Sequence, residues 1–135
     1  MEASVHDLGR AVKQLQWRHH SEASKQLAEL GVSLPQWDVL RRLHDVPDAS
    51  LHDLAQLTYQ TDQSMGSLAT RMIARGLIER LAGPGRAIRH RLTPEGERIR
   101  EAGAELFTGV LENSVGNLSP AERSTLLKLL TKALG

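Results

Sequence analysis

Between Arg71 and Arg91 the chain places six arginines, at 71, 75, 80, 86, 89 and 91, against a single acid, Glu79. A guanidinium stays charged at every physiological pH and offers a planar fork of donors that matches phosphate oxygens. The rest of the chain carries 11 basic and 15 acidic side chains, so a cationic block sits on an otherwise acidic molecule although the net charge is only +1. That asymmetry is the electrostatic footprint of a polyanion-binding surface. Taken alone, such a block also fits a solvated helix-and-hairpin face. Its meaning depends on the elements that carry it.

Other chemistries find less support. The chain has no cysteine, which excludes disulfides, thiolate zinc sites and thiol redox sensing and suits a reducing cytosol. His19 and His20 are adjacent, so on a helix they point about 100° apart and cannot share one site. His6, His44, His52 and His90 show no ligand spacing, so no metal is expected, and His90 reads instead as an inward strand residue. No nucleophile motif, phosphate loop or paired-acid arrangement stands out, so no catalytic residue and no enzyme activity are expected. The longest purely apolar run is three residues, Met72 to Ala74, and the first ten residues lack the basic-then-apolar start of a signal peptide. The expected setting is the cytoplasm, without a membrane partner.

Val5, Leu8, Val12, Leu15, Leu27 and Leu30 recur at helical steps and predict a first helix over 4–30, capped by Gly31. Trp17, His20 and Ser24 lie on another of its faces, so this helix should pack against two bodies, a partner subunit and its own chain. Ser33-Leu-Pro-Gln36 reads as a capping box opening a second helix, with Trp37, Leu40 and Leu43 on its buried edge. Ser50 caps a short third helix, and Thr61 or Asp62 starts a fourth. In the fourth, Met65, Leu68, Ala69, Met72 and Ile73 should face inward, leaving Gln63, Ser64, Gly66, Ser67, Thr70 and Arg71 outward. A short helix, a brief turn and a second helix with a small polar outer face is a helix-turn-helix. A strand over Leu77–Leu81, a Gly83-Pro84-Gly85 turn of type II and an arginine-rich strand to Thr93 then form a hairpin, or wing. Thr93-Pro94 and Ser119-Pro120 cap fifth and sixth helices rich in leucine.

The expected fold is therefore mainly α, with six helices and a two- to three-stranded β wing in one domain. Residues 33–93 would form the winged helix-turn-helix part, between helical parts over 1–32 and 94–135, which the resemblance described below implies are the dimerisation part. On these elements the cationic block belongs to a recognition helix and wing. Double-stranded DNA becomes the expected partner, together with a second copy of the chain.

The runs LPQWDVLRRL, SLHDLAQLT, MIARGLIER, RAIRHRLTPEGERI and LSPAERSTLLKLL occur in the order and spacing of one family. Over about residues 5–134 the chain resembles the MarR family of bacterial transcriptional regulators. The resemblance implies a homodimer whose first, fifth and sixth helices interlock and whose two heads read a pseudo-palindromic operator. It implies a repressor released by a small, often aromatic or phenolic, effector bound between dimer base and head, and no other cofactor. Gln63, Ser64, Ser67 and Arg71 match outward positions of the recognition helix, where glutamine can pair with adenine and arginine with guanine. Thr70 and Arg75 lie on the same helix and its end, and Arg86, Arg89 and Arg91 belong to the wing. Arg86 matches the wing arginine suited to a narrow minor groove.

Two departures stand out. The wing is about two residues shorter than is usual in the family, and glycines 83 and 85 replace the acid that commonly braces its arginine. Gly66 sits where a small hydroxyl residue is frequent. These departures keep open a second reading, a dimeric winged-helix protein-interaction module that no longer reads DNA. Trp17 and Trp37 are candidates for an effector cavity, with His20 or Arg18 as polar anchor; the competing assignment puts both tryptophans in the core.

Overall fold

The computed structural model describes residues 2–82, 85 and 87–135. Its elements run α1 (Val5–Glu29), α2 (Leu34–Asp45), α3 (Leu51–Leu57), α4 (Asp62–Ala74), β1 (Ile78–Arg80), β2 (His90–Leu92), α5 (Pro94–Glu112), a 3-10 turn (Val115–Asn117) and α6 (Pro120–Leu134). The six expected helices are present. The strand expected over Leu77–Leu81 is trimmed to three residues at its ends.

Local chemistry sets the boundaries. Ser4, Ser33, Ser50, Thr61, Thr93 and Ser119 each accept a backbone N–H of the first turn, and at Ser33, Ser50 and Ser119 a reciprocal side-chain bond completes a capping box. Gly31 and Gly76 follow α1 and α4 with φ of 80° and 72°, the left-handed conformation that closes a helix and favours glycine. β1 and β2 pair antiparallel with Ile78 opposite Leu92, Glu79 opposite Arg91 and Arg80 opposite His90. Ser50 adds an isolated bridge to Arg89, a rudiment of a third strand.

The core is aliphatic and lies where α2, α3, α4 and β1 meet α5. Leu27, Val39, Leu40, Leu54, Met65, Met72, Leu77 and Ile78 are buried there, and Trp37 and Ile99 close its α5 side. Two close approaches fix α5. A Cβ on Gly96 would collide with the Leu77 carbonyl, and one on Gly103 with the indole of Trp37. Trp37 fills that notch, stacks on Phe107 with centroids 5.4 Å apart, and donates from Nε1 to the Arg100 carbonyl at 3.1 Å.

Outside this core the helices are apolar without cover. Val5, Leu8 and Val12 on α1 are exposed, as are Leu127, Leu129, Leu130 and Leu134 on α6, and no α6 residue is buried. Ile73, expected to face inward, is 40% exposed because the last turn of α4 runs past the edge of the core.

Candidate nucleic-acid interface and adjoining cavity

α4 is held by one face and presents the other. Thr61 caps it, and Asp62 in its first turn complements the positive end of the helix dipole. Met65, Leu68, Ala69 and Met72 are buried on the inner side. Gln63, Ser64, Ser67, Thr70 and Arg71 are exposed on the outer side, as their spacing predicts. Thr70 turns its hydroxyl back to donate to the Gly66 carbonyl at 3.0 Å. Gln63, Ser67 and Arg71 have no side-chain hydrogen bond among the described residues, so their donors face solvent. The turn into α4 bends through Tyr59, whose φ of 56° is an uncommon conformation for a bulky residue. His52 on α3 contacts Asp62 at 2.8 Å, which ties the two helices and raises the imidazole pKa above its usual 6.5, chiefly through that hydrogen bond.

The arginines divide by partner. Arg91 pairs with Glu79 across the hairpin at 2.5 Å, and Arg89 Nε donates to the Asp48 carbonyl at 3.1 Å. Arg75, expected to face a polyanion, instead donates to the carbonyl of Gly31. Arg71 and Arg80 form no ion pair among the described residues. Arg86, with the Gly83-Pro84 part of the turn, lies outside the described residues. His90 is buried at 3% exposure beneath the hairpin, the inward place its strand position suggests. Desolvation and then the nearby Arg80 charge push its pKa down and disfavour the imidazolium.

Beside this face, toward α1 and α5, lies a cleft of about 570 Å³. Trp37 and Phe107 wall it, His20 and Gln16 come from α1, Asp38 and Arg41 from α2, and Tyr59 and Gln60 from the α3–α4 turn. Arg41 sits 5.6 Å from the Trp37 ring centroid and pairs with Asp38 at 2.6 Å; its Nε is buried without a partner among the described residues. Of the three expected cavity residues, His20 and Trp37 line the cleft. Trp17 does not: it is 65% exposed and meets the site only through its ring, stacked on His20 at 5.8 Å. Trp37 is both core and cavity wall, so the two assignments for it are not exclusive. Arg41, Asp38 and Tyr59 were not singled out by the sequence. Arg41 stands one helical turn after Trp37, which is the one local signal that could have marked it.

The family model described as MarR family matches residues 30–87, the span from the end of α1 past β1 but short of β2. Over that span the chain is similar to the MarR family. The transcriptional regulator HosA of Escherichia coli O111:H- is 29% identical over 125 residues, covering 91% of each chain. Among solved structures, mutant MarR of E. coli complexed with operator DNA superposes with a TM-score of 0.82 at 21% identity, covering 98% of this chain and all of that one. Bordetella bronchiseptica BpsR, whose DNA binding is regulated by 6-hydroxynicotinic acid, gives 0.80 at 25% identity over 95% of this chain and 98% of that one. A Mycobacterium tuberculosis MarR family protein complexed with salicylic acid gives 0.75 at 24%, covering 99% and 98%. In this chain a mainly helical body carries a small antiparallel wing. Among the described residues no helix is long and apolar enough to cross a membrane, and no group of three metal-ligating side chains occurs.

Proposed function

We propose that this protein is a MarR-type homodimeric transcriptional regulator that binds a pseudo-palindromic duplex site in the bacterial cytoplasm and represses until a small aromatic effector releases it. The observation that carries the reading is α4, whose inner face is buried while Gln63, Ser64, Ser67, Thr70 and Arg71 stand exposed on its outer face, and a helix presented this way can enter a major groove. In this reading residues 33–93 are the DNA-binding head, with Arg71 and Arg80 as the unpaired phosphate contacts and Arg89 and Arg91 acting from the wing while braced by their own chain. Residues 1–32 and 94–135 are the dimerisation part. A 15-residue helix is marginal alone in water, so α6, with four exposed leucines and no buried residue, is stable when a second copy covers it. The cleft walled by Trp37 and Phe107 suits a flat apolar ring, and Arg41 and His20 suit an acidic substituent on it. BpsR and the M. tuberculosis protein, with their hydroxynicotinic and salicylic acids, support that ligand class.

The test is genomic footprinting with purified protein, followed by a salt titration on the recovered duplex. Wild type should protect two-fold symmetric sites. Arg71→Ala should lower the slope of log affinity against log salt by about 0.9 per lost phosphate contact, near two per dimer. Enrichment of a folded partner protein with no duplex recovered would instead favour the protein-interaction module.

A further inference from the structure

One arginine of the cationic block turns away from the outer face of α4. Arg75 caps the C-terminus of α4, and its guanidinium donates to the Gly31 carbonyl just past the C-terminus of α1. That carbonyl lies at the negative end of the α1 dipole, where a fixed cation is favoured. Gly31 has φ of 80°, which favours glycine, and a Cβ there would stand 2.9 Å from Arg75 Nη2, so any larger residue must push the guanidinium aside. The next residue joins the third helix of the junction. Thr93, the N-cap of α5, donates from Oγ1 to the Gly76 carbonyl at 2.5 Å and accepts the Gly96 N–H at 3.0 Å. Glu95, in the first turn of α5, feels the Arg75 charge after its stronger partner Arg98. The end of the recognition helix is thus tied to the end of α1 and the start of α5 within three consecutive residues, 75–77, since Thr93 N–H also donates to Leu77 at 3.1 Å.

We propose that Arg75 is a positioning residue: through Gly31 it locks α4 to α1, and so fixes the angle at which the recognition helix is offered to DNA. The inference rests on the DNA-binding reading for its consequence but not for its geometry. It predicts that loss of Arg75 frees the head relative to α1 without removing a phosphate contact. If the binding-competent pose falls to about a tenth of the population, operator affinity falls about tenfold. A half-site spacing altered by one base pair, rejected by a rigid dimer, is then tolerated nearly as well as the natural one.

The absence of cysteine allows a clean test. Ser67→Cys on α4 and Lys25→Cys on α1, both exposed, are spin-labelled in one chain and diluted into excess unlabelled protein, so that only the intrachain distance is read. Wild type should give a narrow distribution. Arg75→Ala, and Gly31→Asn as a variant that leaves every charge in place, should each broaden it about twofold, as a released hinge does. In DNA titrations both should keep the wild-type salt slope and lose discrimination between operator spacings. An unchanged distance distribution in Arg75→Ala, or a salt slope lowered by about two per dimer, would make Arg75 a phosphate contact and overturn the proposal. Broadening in a protein that ignores duplex would uphold Arg75 as the clasp while defeating the DNA-binding reading.

Discussion

The notch at Gly103 links the core to the cleft, and filling it has a calculable consequence. In Gly103→Ala the new methyl must occupy space now held by Nε1 and Cδ1 of Trp37 and lie 3.1 Å from its Cε2. The indole cannot swing freely, because Phe107 stacks on one side at an interplanar angle of 9° and the Arg41 guanidinium lies over the ring. Overpacking of this kind costs about 1–3 kcal/mol. Displacing Nε1 also breaks its bond to the Arg100 carbonyl and strands a part-buried donor, for about another 1–3 kcal/mol. Against this stands the helix propensity gained when alanine replaces glycine, about 1 kcal/mol. The losses win, and the net is destabilisation on the order of 3 kcal/mol, or roughly 10 °C in Tm for a chain of this size. Gly66→Ala is the matched control. It lies in α4 with nothing within 4 Å of the added Cβ, so only the propensity gain remains and Tm should rise. Scanning calorimetry at one fixed protomer concentration measures both, since oligomer stability depends on concentration. If Gly103→Ala also raises Tm, the Trp37 notch is not the constraint described. Because Trp37 walls the cleft, the same variant should shift the tryptophan emission and weaken any ligand seated there.

Two further outcomes follow from exposed groups. The folded-state pKa of His52 is raised by Asp62, so the contribution of that pair to stability is full below about 6.5 and is lost as pH rises through the higher folded value. The Tm difference between wild type and Asp62→Asn should therefore shrink between pH 6 and pH 8, and the His52 ring should titrate by NMR nearer its ordinary value in the variant; a pH-independent difference refutes the pairing. Leu130→Glu places a charge on the uncovered face of α6, 39% exposed in the single chain, and should convert a dimer to monomer by sedimentation while leaving the chain folded; an unchanged mass would remove α6 from the interface.

What the sequence disclosed was what is decided within a few residues. Ser33, Ser50, Thr61, Thr93 and Ser119 announce helix starts because a cap and its N–H partner lie three residues apart. The outward set on α4 was legible because helical period alone assigns faces. The exceptions have long-range causes. Ile73 obeys the period but lies where the helix outruns the core. Arg75 reaches a carbonyl 44 positions away and Arg89 one 41 away, so counting arginines overstated the cation left for DNA. Trp17 sits on a second face of α1, largely exposed and stacked on His20, and periodicity cannot tell a cavity from open surface. Arg41 and Tyr59 come from separate elements and meet only when α2 packs beside the helix-turn-helix.

The placement of those two residues bears on how an effector would act. The cleft shares Tyr59 and Gln60 with the turn that launches α4, and it shares His20 and Gln16 with α1. Gln60 is held from both sides: its N–H donates to the Ala55 carbonyl at 2.7 Å, and its amide donates to Thr58 at 2.9 Å, one residue before the N-cap Thr61. A ring entering between Trp37 and Tyr59 thus presses on the front of the recognition helix, whereas Arg75 and Gly31 hold its back to the same α1. With one end clasped and the other open to a ligand, α4 can respond by tilting about the clasp. Releasing the clasp should then abolish the response even where ligand still binds, so effector sensitivity and head rigidity are expected to be lost together in Arg75→Ala.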